Sequence, residues 1–305
     1  MSRKSASPPA VGRMSRRRFV AAAGAALVVG PSARAKPEGG QPVSFKKALI
    51  FGDLPGTLSI EDRFKMVRDV GFEGVESSPV EPAEAERMRA AAEKAGVAIH
   101  SVLYGGWHAP LSSADPEVVE KGIKGMEAAL RSAKAQGADG VLLVPGVVNA
   151  GTRYAHAYER SQKALKRLAP LAAELKVSVL VEEVWNNFLL SPLEFARYLD
   201  EVKSPWVQAY FDVGNVVAFA WPEDWIRTLG KRIKKVHLKD YKGGPGLGGN
   251  GRFVHLGEGS IDWPGVRRAL DEIGYNGWVT TELGGGDEAW WKDLAARIDR
   301  LLAPV

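Results

Sequence analysis

From residue 45 onward, short β-branched and aliphatic runs alternate with longer segments whose apolar residues recur at helical spacing. The short runs fall at 47–51, 74–77, 98–103, 140–144, 178–183, 207–211, 234–238 and 278–282. Most are bounded by Gly, Pro or polar residues, and they read as strands. Between the first two, Ile60, Phe64, Val67 and Val70 form one helical face behind a Ser59 cap, and Gly71 closes the segment. Further helices are expected over 84–95, ending at Gly96, and over 116–136, ending at Gly137. Others cover 154–175, 192–202, 221–229, 263–273 and 288–302. Alternating strand–helix units imply a parallel sheet. Eight of them in roughly 260 residues fit an α/β fold with a single (β/α)8 TIM barrel. An open doubly wound sheet is the competing architecture.

The first 35 residues do not follow this pattern. Ser15-Arg16-Arg17-Arg18-Phe19-Val20 precedes an apolar run from Ala21 to Val29, followed by Pro31 and then Ala33-Arg34-Ala35. A basic stretch, a short apolar run and an A-x-A site read as a signal peptide, and the paired arginines as its twin-arginine form. The run is far short of the roughly 20 residues that span a bilayer, so no stable membrane anchor is expected. Residues 36–44, rich in Gly and Pro, are expected to be a disordered lead-in to a catalytic domain over 45–305. The protein is then expected to be periplasmic or otherwise exported, handled by the twin-arginine export machinery.

Charge changes meaning once the leader is set aside. The whole chain carries a formal +5, but residues 1–35 hold seven basic residues and no acidic one. The remainder has 34 basic against 36 acidic residues, a net of −2. It offers no electrostatic case for nucleic acid as a partner. There is no cysteine, which excludes disulfides, thiolate zinc sites and cysteine nucleophiles.

In closed βα barrels the chemistry sits at the C-terminal ends of the strands. Here the fifth expected strand ends in Val181-Glu182-Glu183 and the sixth in Tyr210-Phe211-Asp212. The seventh ends in Val236-His237-Leu238-Lys239 and the eighth in Thr280-Thr281-Glu282. Alone, each carboxylate fits a solvated rim, and the histidine fits a hydrogen-bonded core. Together, three carboxylates in one mouth repel unless a cation holds them. Oxygen ligands with one imidazole suit Mn²⁺ foremost, and also Mg²⁺ or Co²⁺, and permit Zn²⁺.

These residues also carry a resemblance. Glu182-Glu183-Val184-Trp185-Asn186, Phe211-Asp212-Val213-Gly214-Asn215, Val236-His237-Leu238-Lys239-Asp240, Leu256-Gly257-Glu258-Gly259 and Thr281-Glu282 are similar to motifs of the sugar phosphate isomerase/epimerase families with a xylose-isomerase-like barrel. The resemblance covers most of residues 45–300. It implies that Glu182, Asp212, His237 and Glu282 bind one Mn²⁺-like ion, and that Glu182 and Glu282 are also the catalytic pair. Glu183 rivals Glu182 as first ligand. Val177, Val179 and Val181 share a face with Glu183, and that row suits the helix-packed side, which turns Glu182 inward.

Other mouth candidates are softer. Lys239 points to the same side as His237 and suits a substrate oxygen, or a rim pair with Asp240. Glu76 ends the second strand and suits a sugar hydroxyl. Trp107 and His108 follow the third strand in a Gly-rich loop and suit a sugar face, although Trp107 also suits packing. Trp185 and Asn186 are expected in the pocket wall, and Asn215 among the substrate contacts. D-tagatose 3-epimerase-type enzymes place a histidine where Asn215 stands; the phosphopentose epimerase type has asparagine. His100 is expected in the core, His156 on the surface, and His255 near the mouth without a ligand role. Residues 242–253 lack a GK[ST] ending and open no helix, so a flap fits them better than a phosphate loop.

The resemblance thus implies a metal-dependent isomerase or epimerase working through an enediolate on a small ketose or keto-sugar. Export argues for an unphosphorylated substrate. Elimination from a 3-keto-glycoside could use the same residues. A nuclease of the same barrel superfamily and a non-catalytic sugar-binding protein are the remaining alternatives, and homo-oligomer formation is left open.

Overall fold

The computed structural model describes residues 44–243 and 251–304. The expected leader at 1–35 and residues 36–43 of the lead-in lie outside them.

Eight parallel strands close into a barrel in sequence order. They are β1 (Lys46–Ile50), β2 (Gly74–Ser77), β3 (Ala98–Gly105), β4 (Gly140–Leu143), β5 (Ser178–Glu182), β6 (Val207–Asp212) and β7 (Ile233–Leu238), followed, after an antiparallel ribbon β8 (Asp240–Lys242) and β9 (Arg252–Val254), by β10 (Trp278–Thr281). β10 pairs with both β7 and β1, which closes the ring.

Helices α1 (Ile60–Asp69), α2 (Pro82–Ala95), α3 (Pro116–Gln136), α4 (Tyr154–Leu175), α5 (Pro192–Asp200), α6 (Val213–Val217), α7 (Pro222–Leu229), α8 (Trp263–Glu272) and α9 (Glu288–Leu301) lie between and after the strands. Local chemistry sets their ends. Ser59 Oγ accepts from Asp62 N at 3.1 Å and starts α1, while Gly96 and Gly137 at φ 70° and 87° stop α2 and α3. No described helix is long and apolar enough to cross a membrane.

Strand alternation sorts the side chains into two regions. Val75, Val141, Val179, Val181, Phe211, Val236, Leu238 and Val279 are buried in the main core with helix residues such as Phe64, Met126, Leu165, Phe195, Trp225 and Leu294. A separate small cluster, Leu142, Leu180 and Tyr210 with Leu103 against it, lies on the alternate positions that fill the barrel. The rest of that filling is polar: His100, Lys235, Thr280, Glu76 and His237 are all buried. Gly140 makes room for it. A Cβ there would lie 2.5 Å from Leu180 Cδ1 and 3.1 Å from Lys235 Cε.

Three features depart from the sequence expectation. β6 runs directly into the one-turn helix α6, which is too short to leave a periodic signal. The segment expected as a flap starts and ends in the ribbon β8–β9, while residues 244–250 lie outside the described residues. Helices α2 and α7 differ from the expected ranges by one or two residues at the first turn, and α5, α8 and α9 at the last, where local periodicity fixes a helix end least well.

Candidate metal centre

The ends of β5, β6, β7 and β10 converge. Glu182, Asp212, His237 and Glu282 each present one ligand-type atom, and these atoms lie within 4.8 Å of one another. His237 Nδ1 is 3.0 Å from Glu182 Oε1, 3.8 Å from Asp212 Oδ2 and 3.7 Å from Glu282 Oε2. Glu182, Asp212 and His237 are buried, while the Glu282 side chain is 33% exposed and faces the opening.

Local structure holds the Asp212 carboxylate in place. Asp212 is both the last residue of β6 and the N-cap of α6, so its Oδ1 accepts from Asn215 N at 2.8 Å. That commits one carboxylate oxygen to the helix and leaves Oδ2, which is buried and accepts no hydrogen bond, facing the cluster. Lys239 Nζ lies 2.9 Å from Oδ2, close enough for ion pairing but off hydrogen-bonding geometry, and donates to Glu282 Oε2. Gly214 permits this approach, because a Cβ there would lie 2.6 Å from the Lys239 carbonyl oxygen. A buried carboxylate oxygen that accepts no hydrogen bond among the described residues, beside two further carboxylates and an imidazole, is a donor set that fits a divalent cation.

The titration behaviour follows from crowding. Burial, reinforced by Glu282 and Asp212, outweighs the His237 interaction and pushes the Glu182 carboxyl up to about 7. Burial also raises Asp212. For Glu282 burial opposes ionisation, but His237 and Lys239 prevail and hold it below its usual range. Burial disfavours charge on His237 and Lys239 too, yet the surrounding carboxylates raise both. The pocket therefore selects positive charge.

Glu182 and Glu183 do different things. Glu182 joins the cluster, and Glu183 points to the other side of the strand. Its Oε1 accepts from Asp212 N at 2.7 Å, and burial, then Asp212 and Glu182, push its carboxyl well above the usual range.

Several residues expected at the substrate are hydrogen-bonded within the protein. Glu76 is fully buried beneath His237, with Oε2 shared between His237 Nε2 at 2.9 Å and the Tyr210 hydroxyl at 2.6 Å. Its carboxylate, expected at a sugar hydroxyl, is engaged with His237 and Tyr210. Asn186 donates to Gly146 O and accepts from Phe188 N, bracing two loops. Asn215 Nδ2 donates to Glu183 O at 3.0 Å, tying α6 to β5. Both are buried, and each side-chain amide donates to a backbone carbonyl. Lys239 binds the cluster, while Asp240 turns away to accept from Gly257 N, Gly259 N and Trp263 Nε1.

The aromatic expectations concern the rim. Trp185 is 52% exposed, stacks on Phe253 of β9 at 5.0 Å between centroids, and donates to Asn215 O. Trp107 and His108 are exposed in the β3–α3 loop, with His108 edge-on to Tyr104. His156 is exposed on α4, and His255 stacks on Trp290.

Sequence reasoning missed Phe253, Asp53 and the polar barrel filling. Asp53 follows β1, and burial and then Glu282 raise its carboxyl. The filling had a signal: Lys235-x-His237-x-Lys239 and Tyr210-x-Asp212 place polar or hydroxyl groups on one strand face.

The model of the xylose isomerase-like TIM barrel family matches residues 64–301. The chain belongs to that family. An L-ribulose-5-phosphate 3-epimerase of Salmonella paratyphi A is 28% identical over 245 residues, covering 73% of this chain and 81% of the relative. The solved structure of an L-ribulose 3-epimerase superposes with a TM-score of 0.72 at 20% identity, covering 85% of this chain and 95% of that one. A 3-keto-D-glucoside 4-epimerase from Escherichia coli superposes with a TM-score of 0.70 at 17% identity, covering 85% and 99%. The two structures share the fold of this chain.

Proposed function

We propose that this chain is a divalent-metal-dependent sugar epimerase or isomerase acting on a ketose or keto-sugar. The observation that carries this reading is the convergence of Glu182, Asp212, His237 and Glu282 within 4.8 Å at the end of the barrel where such enzymes do chemistry. Epimerases among the relatives support the reaction class.

Glu182, Asp212, His237 and Glu282 would hold the ion, Mn²⁺ in the first instance. When bound, it supplies Lewis-acid polarisation of a carbonyl and its neighbouring hydroxyl. The rest falls to the chain. Epimerisation beside a carbonyl removes a proton from carbon, leaves an enediolate and returns the proton. Glu182 and Glu282 are the carboxylates assigned to those transfers. Lys239 offers an ammonium donor to oxygen charge that develops beside Glu282. Trp185 and Phe253 wall the opening and limit water.

The N-terminal pattern supports export, and export favours an unphosphorylated substrate. Amino-terminal sequencing of the secreted fraction should start near Lys36; an uncleaved cytoplasmic protein removes that support. For the reaction, the test is metal analysis of purified protein, followed by a manganese-supplemented screen of free ketoses and 3-keto-glycosides. Sugar interconversion is expected, with Glu282→Gln abolishing it. Release of a free aglycone would instead assign elimination. A protein that takes up no divalent ion, or a Glu282→Gln variant with near-normal turnover, would sink the proposal.

A further inference from the structure

A continuous line of polar groups, buried from Lys235 onward, runs through the barrel from its N-terminal end to the candidate metal centre. It begins at Asp139, just before β4, whose Oδ1 lies 2.5 Å from Lys235 Nζ. Lys235 is fully buried and makes two more contacts, to His100 O at 2.6 Å and His100 Nδ1 at 3.1 Å. His100 Nε2 is 3.0 Å from Thr280 Oγ1. Thr280 Oγ1 is 3.0 Å from the Tyr210 hydroxyl, which is 2.6 Å from Glu76 Oε2. Glu76 Oε2 is 2.9 Å from His237 Nε2. Strand-filling residues of such barrels are ordinarily branched apolar side chains, so this line has displaced packing that would have been available.

The hydrogens along the line can be assigned one by one. Lys235 faces three acceptors, which matches the three donors of an ammonium and none of an acceptor. His100 Nδ1 therefore accepts. Burial, together with the Lys235 charge, holds His100 well below its usual range and hence neutral, so its single N–H is on Nε2. That N–H donates to Thr280 Oγ1. The Thr280 hydroxyl proton then has Tyr210 as its acceptor, and the Tyr210 proton goes to Glu76. A carboxylate is acceptor-only, so the second group on Glu76 Oε2, His237 Nε2, must donate. Among the described residues Glu76 Oε1 has no hydrogen-bond partner, and Oε2 carries both bonds.

We propose that Glu76, oriented by the line Lys235–His100–Thr280–Tyr210, is a positioning residue that fixes His237 as the Nε2–H tautomer, so that Nδ1 is the atom offered to the metal. Nδ1 is the nitrogen that faces Glu182, Asp212 and Glu282. Outer carboxylates of this kind orient a ligating imidazole and raise its basicity, and their loss costs roughly 10–100-fold in metal affinity. The inference rests on the cation site of the proposed function but not on the reaction.

The test uses the mature protein with Zn²⁺ or Mn²⁺ alone as probe, and a competing chelator dye to measure affinity. Glu76→Gln should weaken binding by about 10–100-fold. Tyr210→Phe removes one hydroxyl and should weaken it in the same direction by a smaller factor, with the fold retained by circular dichroism. Ser101→Ala removes a buried hydroxyl outside the line and should leave affinity unchanged. In ¹⁵N-histidine-labelled, Zn²⁺-loaded protein, His237 should show a protonated Nε2 and a metal-bound Nδ1. Metal bound through Nε2, or wild-type affinity in both Glu76→Gln and Tyr210→Phe, would overturn the inference. A protein that binds no divalent ion at all would instead refute the cation site itself.

Discussion

Glu183 Oε1 accepts a hydrogen bond from the backbone N–H of Asp212, 2.7 Å away. The neighbour of one candidate ligand thus holds the strand end that carries another. Glu183→Ala leaves that buried N–H without a partner, which costs about 1–3 kcal/mol. The expected outcome is a lower thermal midpoint and weaker metal binding, with Glu182 still present. Calorimetry and metal titration of the variant check both. Unchanged values would mean that β6 is held by packing alone.

Lys239 supplies positive charge to Asp212 and Glu282. Lys239→Met keeps most of the length of the side chain and removes that charge, so the carboxylates repel without relief when no ion is bound. Metal-free Lys239→Met should melt below the metal-free wild type. Adding Mn²⁺ should raise its midpoint by more than it raises the wild type. Equal increments would show that Lys239 does not compensate the cluster.

Gly214 separates α6 from the end of β7. A Cβ there would meet the Lys239 carbonyl oxygen at 2.6 Å and Lys239 Cγ at 2.3 Å. The carbonyl is backbone and cannot rotate away, so Gly214→Ala must move α6 or β7. A loss of about 1–3 kcal/mol is expected, read as a shifted denaturant midpoint, together with reduced turnover. A fully active, equally stable variant would contradict the close packing.

Asp139 and Lys235 set an acid limit on stability. Burial alone would raise the Asp139 carboxyl, but the Lys235 ammonium outweighs it and holds the carboxyl below its usual range. A carboxyl depressed in the folded state contributes stability above its unfolded pKa of about 3.9, and loses it as pH falls through the folded value. Asp139 is 52% exposed, so solvent screens part of the effect. Asp139→Asn should be less stable than wild type at pH 6, and the gap should close below about pH 4. Urea midpoints measured across that range decide it. A gap that stayed constant would assign the loss to packing.

The barrel was legible because its cues are local. Valine and leucine runs at 140–144 and 178–183, the Ser59 cap and the glycine stops at Gly96 and Gly137 act over a few residues each. The strand-end residues Glu182, Asp212, His237 and Glu282 were legible for a related reason: once strands close in order, their last side chains share one mouth. Alternation along Val177, Val179 and Val181 also separated Glu182 from Glu183.

What the sequence determined by itself is therefore the alternating order of elements, the strand ends that carry carboxylates and imidazole, and the charge contrast between residues 1–35 and the rest. These follow from short-range periodicity and composition. Only the tertiary structure decided what each polar group touches. It placed Glu76 against His237, tied Asn186 and Asn215 to backbone groups, and joined Asp139 to His237 through residues drawn from five strands. Those partners are separated by up to 180 residues along the chain. Their pairing depends on barrel closure and register, and no local pattern encodes it.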